Sequence, residues 1–308
     1  MKEGIVIKST GSWYMVSSNN ETPVPCRIKG KLRLDETGNT NPVAVGDIVN
    51  YETDEQTGDN VIVKILNRKN YIIRKATNLS RQTQILAANI DQAILLVTIN
   101  YPVTTNVFID RFLSSAEAFN IPVILLFNKT DRYDLTHNEQ LSELRNIYES
   151  IGYRTMSISA KKQENLKDVE DLLRNKITLI AGHSGVGKST LINRLEPGLN
   201  LKTGNISESH QTGKHTTTFA EMHPLSFGGY IIDTPGIRGF GLTMIEKEEL
   251  YHYFREIFKI SHQCQFHNCL HLHEPGCAVK QAVEEGTISK SRYNSYISIF
   301  RNRDEKYR

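Results

Sequence analysis

Two short stretches carry residue types able to hold a nucleotide. Asn128-Lys129-Thr130-Asp131 closes the apolar run 121–127, and Gly182-His183-Ser184-Gly185-Val186-Gly187-Lys188-Ser189 follows the apolar run 177–181. The second stretch fits G-x-x-x-x-G-K-[ST], and a helix pattern begins at Ser189-Thr190. Its glycines let backbone N–H groups turn inward around phosphates, and the helix N-terminus adds a favourable dipole. Lys188 would neutralise the β- and γ-phosphates, and the Ser189 hydroxyl would ligate Mg²⁺. Elsewhere Cys264, Cys269 and Cys277 fall within fourteen residues, among His262, His267, His271 and His273. Thiolates and imidazoles at that density suit structural zinc better than disulfides in a reducing compartment.

A phosphate loop does not choose between ATP and GTP. Asp131 does, because its carboxylate accepts from both N1–H and the exocyclic amine of guanine. Adenine offers neither donor on that edge and would leave the carboxylate unpaired. Sites that demand a polar partner reject the wrong ligand by roughly 10⁴-fold or more. Asn128 would tie this segment to the base and to the phosphate loop, and the Lys129 stem would cover the base face. Ser159-Ala160-Lys161 ends the next apolar run, and its backbone would meet the guanine O6. Downstream, Asp233-Thr-Pro-Gly236 ends the run 230–233. Asp233 would hold Mg²⁺ through water, and the Gly236 N–H would sense the γ-phosphate. Of Thr216, Thr217 and Thr218, spacing to the next strand favours Thr217 as the remaining Mg²⁺ ligand; an ordinary β-strand is the competing reading of that threonine run.

These residues need elements to position them. The chain has 308 residues, 39% hydrophobic and 23% charged, which fits a soluble globular protein of two or three domains. Residues 1–68 read as short strands with turn punctuation, a small all-β barrel of OB-fold, SH3-like or other type. Residues 69–82 read as a basic linker. Apolar runs at 92–99, 121–127, 155–160, 177–182 and 230–236 alternate with helical patterns such as 107–120, so 69–245 reads as an α/β domain with a mostly parallel sheet. Residues 246–308 read as helical, with one amphipathic helix over 246–258 and a last basic helix from about Cys277. Tyr293, Tyr296, Phe300 and Tyr307 in that helix either bind RNA by stacking or pack inward. Net charge is only +3, with basic residues gathered at 27–33 and 301–308. No apolar run reaches membrane-spanning length and no signal-peptide pattern opens the chain, so a cytoplasmic location is expected.

The motif order is base-reading segment, Ser-Ala-Lys, phosphate loop, threonine run, Asp-Thr-Pro-Gly, whereas ordinary GTPases put the phosphate loop first and the base-reading strands last. This resembles the circularly permuted GTPases, and within them the ribosome small-subunit-dependent RsgA (YjeQ/YloQ) family. The resemblance covers nearly the whole chain, including Val-Ala-Val-Gly-Asp-Ile-Val (43–49) and the Cys/His cluster. It implies an OB-like barrel that binds RNA, a permuted P-loop GTPase domain and a helical zinc domain. It further implies a monomeric GTP hydrolase that matures the small ribosomal subunit, contacts its rRNA and leaves on hydrolysis. His271 is the fourth zinc ligand by the family pattern. Ile237 stands where many GTPases have a water-orienting Gln, and the family pattern offers His215 as the catalytic substitute. Gly185 occupies the position of a potassium-binding Asn, which leaves that mode of activation without a ligand. Rival readings are a passive zinc and nucleic-acid binder, and a GTPase of metal delivery or membrane signalling.

Overall fold

The computed structural model describes residues 1–18, 22–29, 42–75, 83–201, 220–233 and 245–301, with backbone alone at 74, 75, 83, 84 and 233. Strands β1 (Lys2–Ser9), β2 (Tyr14–Ser17), β3 (Val24–Ile28), β4 (Ile48–Thr53) and β5 (Asn60–Ile65) close a five-stranded barrel in the order β1-β2-β3-β5-β4-β1. Alternation closes it: Tyr14 and Val16, Cys26 and Ile28, and Val49 and Tyr51 each point inward at period two around Val6 and Ile62. This is the barrel expected from the turn-punctuated N-terminal segment.

Residues 71–75 are not linker. They form β6 (Tyr71–Lys75), antiparallel to β7 (Thr83–Ala88), and Ile72 is buried in the core below the main sheet. The basic residues around it disguise a strand whose two isoleucines face inward. The barrel meets this hairpin at Gly46, whose φ of +89° admits glycine and whose Cβ, if present, would run into the Ala88 carbonyl. Next to it, buried Asp47 takes a bidentate Arg68 at 2.6 and 2.7 Å.

The central sheet runs β10 (Arg154–Ser157), β9 (Val123–Phe127), β8 (Gln92–Val97), β11 (Ile177–Ala181), β13 (Tyr230–Asp233), β12 (Glu221–Pro224), all parallel except β12. β8 and β9 are buried at every position, as a two-sided parallel sheet requires. Helices α1 (Asn106–Ala118), α2 (Leu135–Ser150), α3 (Leu166–Leu173) and α4 (Lys188–Leu195) follow four of these strands. Edge strand β12 pairs with β1 through Lys8 and Glu221, whose side chains also meet at 3.1 Å, so barrel and sheet are continuous.

The C-terminal part departs from the expected single helices. A 3₁₀ turn (Lys247–Tyr253) precedes α5 (Arg255–Ser261), because Phe254 adopts an extended conformation that buries its ring edge-on against Tyr296. The last basic helix is two, α6 (Ala278–Glu284) and α7 (Lys290–Arg301), separated at Gly286. Tyr296 is fully buried and donates to the carbonyl of Leu270 at 2.7 Å, which decides against base stacking there, while half-buried Tyr293 donates to the carbonyl of His271 at 2.7 Å. This part is fastened to α1 by a buried charge cluster. Arg292, 1% exposed, forks onto Glu256 at 2.7 and 3.1 Å and reaches Asp110 of α1 at 2.6 Å. The Tyr148 hydroxyl donates to the same Asp110 oxygen. Burial works to lower the Arg292 guanidinium, but Asp110 and Glu256 more than offset it and hold it well above its ordinary value.

Candidate nucleotide site and metal centre

The sheet order explains how a permuted motif order can still build one site. β8, β9, β10 and β11 are parallel neighbours, so the turn at 98–105, residues 128–131, residues 159–161 and residues 182–189 all leave the carboxyl edge together. Residues far apart in the chain then meet. The Asn128 amide donates to the Val186 carbonyl at 2.8 Å, and its oxygen accepts from the Ala160 N–H at 3.0 Å. One buried side chain thereby pins three loops.

Gly187 makes that possible. Its φ is +101°, and a Cβ there would collide with the Asn128 amide nitrogen. Lys129, itself left-handed at φ 69°, sends its ammonium to the carbonyls of Gly185, at 2.7 Å, and Tyr101. Burial and then Arg132 pull that ammonium below its ordinary value, against Asp131. Asp131 accepts from the Ser159 hydroxyl at 2.6 Å, and the Thr130 hydroxyl donates to Ile158 O at 3.0 Å. Lys188 folds over its own loop, donating to Gly182 O at 2.7 Å and His183 O at 3.2 Å. Ser189 and Thr190 occupy the first turn of α4, while Ser184 lies in the loop itself. The His183 ring stacks on Phe108 of α1, with centroids 3.6 Å apart.

Not every expected residue can be placed. His215, Thr216, Thr217, Thr218, Gly236, Ile237 and Tyr307 lie outside the described residues, and for Asp233 only the backbone at the end of β13 is described. Sequence reasoning passed over Tyr101, Tyr133 and His137, which surround the base-reading segment. No periodicity or motif marks them.

The Cys/His cluster comes together as one donor set. The ligand atoms of Cys264, Cys269, His271 and Cys277 all lie within 4.8 Å of one another. His271 Nδ1 stands 3.5 Å from the sulfurs of both Cys264 and Cys277. Three sulfurs and one imidazole at that separation match a closed tetrahedral zinc site. Burial pushes the Cys269 thiol up to about 12 and His271 down to about 4. His271 is therefore neutral with a lone pair to give, while the thiols release protons as a cation takes their place. Glu274 organises the loop from below, accepting from the N–H groups of Leu270, Leu272 and His273 at 2.8–3.0 Å. Burial opposes its ionisation, but those donors hold it down to about 2.

The chain is similar to known proteins over most of its length. Residues 65–243 match the RsgA GTPase family and residues 3–62 the RsgA N-terminal domain. A small ribosomal subunit biogenesis GTPase RsgA of Bacteroides fragilis is 54% identical over 307 residues, covering 99% of each chain. One of that name from Flavobacterium psychrophilum is 52% identical, covering 99% of this chain and 94% of the relative. Among solved structures, YjeQ from Thermotoga maritima superposes with a TM-score of 0.82 at 36% identity, covering 99% of both chains. YloQ, described as a circularly permuted GTPase, superposes with a TM-score of 0.77 at 32% identity, covering 100% of this chain and 97% of YloQ. With both family matches together spanning most of its length and its fold reproduced in two solved structures, one of them described as a circularly permuted GTPase, this chain belongs to the RsgA family of GTPases.

Proposed function

We propose that the chain hydrolyses GTP in an Mg²⁺-dependent reaction while it acts on the small ribosomal subunit late in its assembly. Asp131 reads the guanine N1–H and exocyclic amine, Asn128 and the backbone of Ser159, Ala160 and Lys161 close round the base, and Lys129 covers its face. The backbone of residues 182–187 and the Lys188 ammonium hold the phosphates, with Thr190 in the same helical turn. Ser189, Thr217 and Asp233 would ligate Mg²⁺, which supplies charge neutralisation at the β- and γ-phosphates. Gly236 senses the γ-phosphate, and His215 orients the attacking water in place of a glutamine.

One observation carries the nucleotide assignment: Asn128 binds the backbone of both the phosphate loop and the 159–161 turn. The subunit assignment is supported by relatives above 50% identity whose names state that role. The barrel binds rRNA, and Cys264, Cys269, His271 and Cys277 hold a structural zinc that shapes the C-terminal part. Hydrolysis releases the protein from the subunit. Among the described residues no helix is long and apolar enough to cross a membrane. In this reading the protein works as a cytoplasmic monomer.

The test is steady-state phosphate release from GTP and from ATP, with and without purified small ribosomal subunits. Stimulation confined to GTP and small subunits is expected. Turnover indifferent to the subunit would remove the ribosomal part of the reading.

A further inference from the structure

We propose that Tyr133 is a positioning residue for base selection: its hydroxyl joins the base-reading segment to the turn after β8, and so fixes where Asp131 presents its carboxylate. The proposal rests on reading Asn128–Asp131 as the segment that meets guanine. Tyr133 lies two residues beyond Asp131, where the chain leaves a short 3₁₀ turn (Thr130–Arg132) in extended conformation. Its hydroxyl donates to the Asn128 carbonyl at 2.6 Å and accepts from the Ile99 N–H at 2.9 Å. Both partners are main chain, so the contact fixes backbone rather than another side chain. Burial, then the nearby Asp131 charge, raises the Tyr133 phenol above its ordinary value, so the proton that reaches Asn128 stays in place at neutral pH.

The turn it reaches is a rigid anchor. Thr98 N–H donates to the Thr104 hydroxyl at 3.1 Å, Thr98 Oγ1 donates to Pro102 O at 2.5 Å, and Thr104 N–H returns to Thr98 O at 2.9 Å. Other residues from the base-reading side grip the same turn. Lys129 donates to Tyr101 O, Arg132 lies 4.7 Å over the Tyr101 ring, and His137 Nε2 meets the Asn100 amide at 2.9 Å. Asn128 already fastens the segment to the phosphate loop, and Ser159 holds Asp131 from the β10 side. Tyr133 adds a main-chain link on the β8 side, joining Asn128 to Ile99 beside the Lys129 and Arg132 contacts. Without it, the Asn128 carbonyl and the Ile99 N–H lose this partner, and the loop that carries Asp131 gains freedom that guanine must remove on binding.

Tyr133→Phe deletes one oxygen and keeps the ring that stacks beside His137. The dissociation constants of GDP, IDP and ADP are measured on the full-length chain by competition against a fluorescent GDP. IDP keeps N1–H and lacks the exocyclic amine, so the GDP:IDP preference reports the contact of Asp131 with that amine. The variant is expected to bind GDP roughly five- to tenfold more weakly, as loss of one hydrogen-bonded link allows. Its GDP:IDP preference falls, and KM for GTP rises with kcat unchanged. A part that is only structural would lower the melting temperature and leave that preference intact, and this result overturns the proposal. Asp131→Asn is run alongside. If it keeps the wild-type GDP:IDP preference, the base-reading assignment itself fails; if it loses that preference while Tyr133→Phe keeps it, the role of Tyr133 alone fails. Should Tyr133→Phe not fold, amide exchange in the wild type decides. GDP, and not ADP, is expected to slow exchange at Ile99, and equal exchange with and without GDP overturns the proposal.

Discussion

Replacing Arg292 by methionine tests how the C-terminal part is held to the nucleotide-binding domain. Arg292 is 1% exposed and makes three charge-assisted hydrogen bonds, two to Glu256 and one to Asp110 across the interface. Methionine fills much of the stem volume and removes the charge. Two buried carboxylates are then left without their cation, at a cost of about 3–5 kcal/mol. With a urea slope of about 2 kcal/mol/M, the unfolding midpoint of the full chain falls by roughly 1.5–2.5 M. The pH dependence gives a second check. Burial already raises the folded pKa of Asp110 above its unfolded value, and removing the cation takes away the group that opposes that rise. The penalty at Asp110 is absent below the unfolded carboxylate range near pH 4, and it grows as pH rises towards the folded value. The gap between variant and wild type is therefore smaller at pH 5 than at pH 8. Removing all three charges together, with Asp110→Asn and Glu256→Gln added, recovers much of the loss. A midpoint shift below about 0.5 M for Arg292→Met alone, near 1 kcal/mol on the same slope, would mean that the buried charges do not hold the C-terminal part in place.

Three further outcomes follow from particular contacts. Gly187→Ala forces a side chain onto φ +101° and into the Asn128 amide, so GDP affinity by calorimetry falls roughly thirtyfold, for a strain of about 2 kcal/mol. Stripping metal with a chelator unfolds the segment carrying Cys264, Cys269, His271 and Cys277 and leaves the barrel intact, read as amide exchange that rises only in the C-terminal part. Glu274 has a folded pKa of about 2, below its unfolded value, so its contribution is full above about pH 4.5 and is lost as pH falls through 2; Glu274→Gln, followed by thermal melts, should erase that acid-side slope.

How much of this was legible in the sequence depends on whether a feature is local. Asn128, Asp131, Gly187, Lys188 and the three cysteines announce themselves because each sits in a short run whose spacing alone has chemical meaning. The barrel strands and β8, β9 and β11 were visible for the same reason, as period-two or continuous apolar runs. Tyr133 and Arg292 were not. Tyr133 meets a backbone amide 34 residues away, and Arg292 meets a carboxylate 182 residues away, so nothing beside either residue marks its role. β6 was hidden by its basic surroundings. The expected long helix over 246–258 broke because the buried Phe254 claims an extended backbone, a tertiary demand that helical periodicity does not register. The permuted order was legible, but the reason it is harmless, parallel strands that open every loop onto one edge, appears only in the sheet.

Asp131 is the proposed reader of guanine, and the nucleotide preference of Asp131→Asn tests that role most directly. An amide at 131 donates where the carboxylate accepts, so it suits the 2-oxo group of xanthine and no longer pairs with the exocyclic amine of guanine. The variant is expected to bind xanthosine diphosphate in preference to GDP, while the wild type does the reverse. A variant that still prefers GDP would remove Asp131 from the role of base reader.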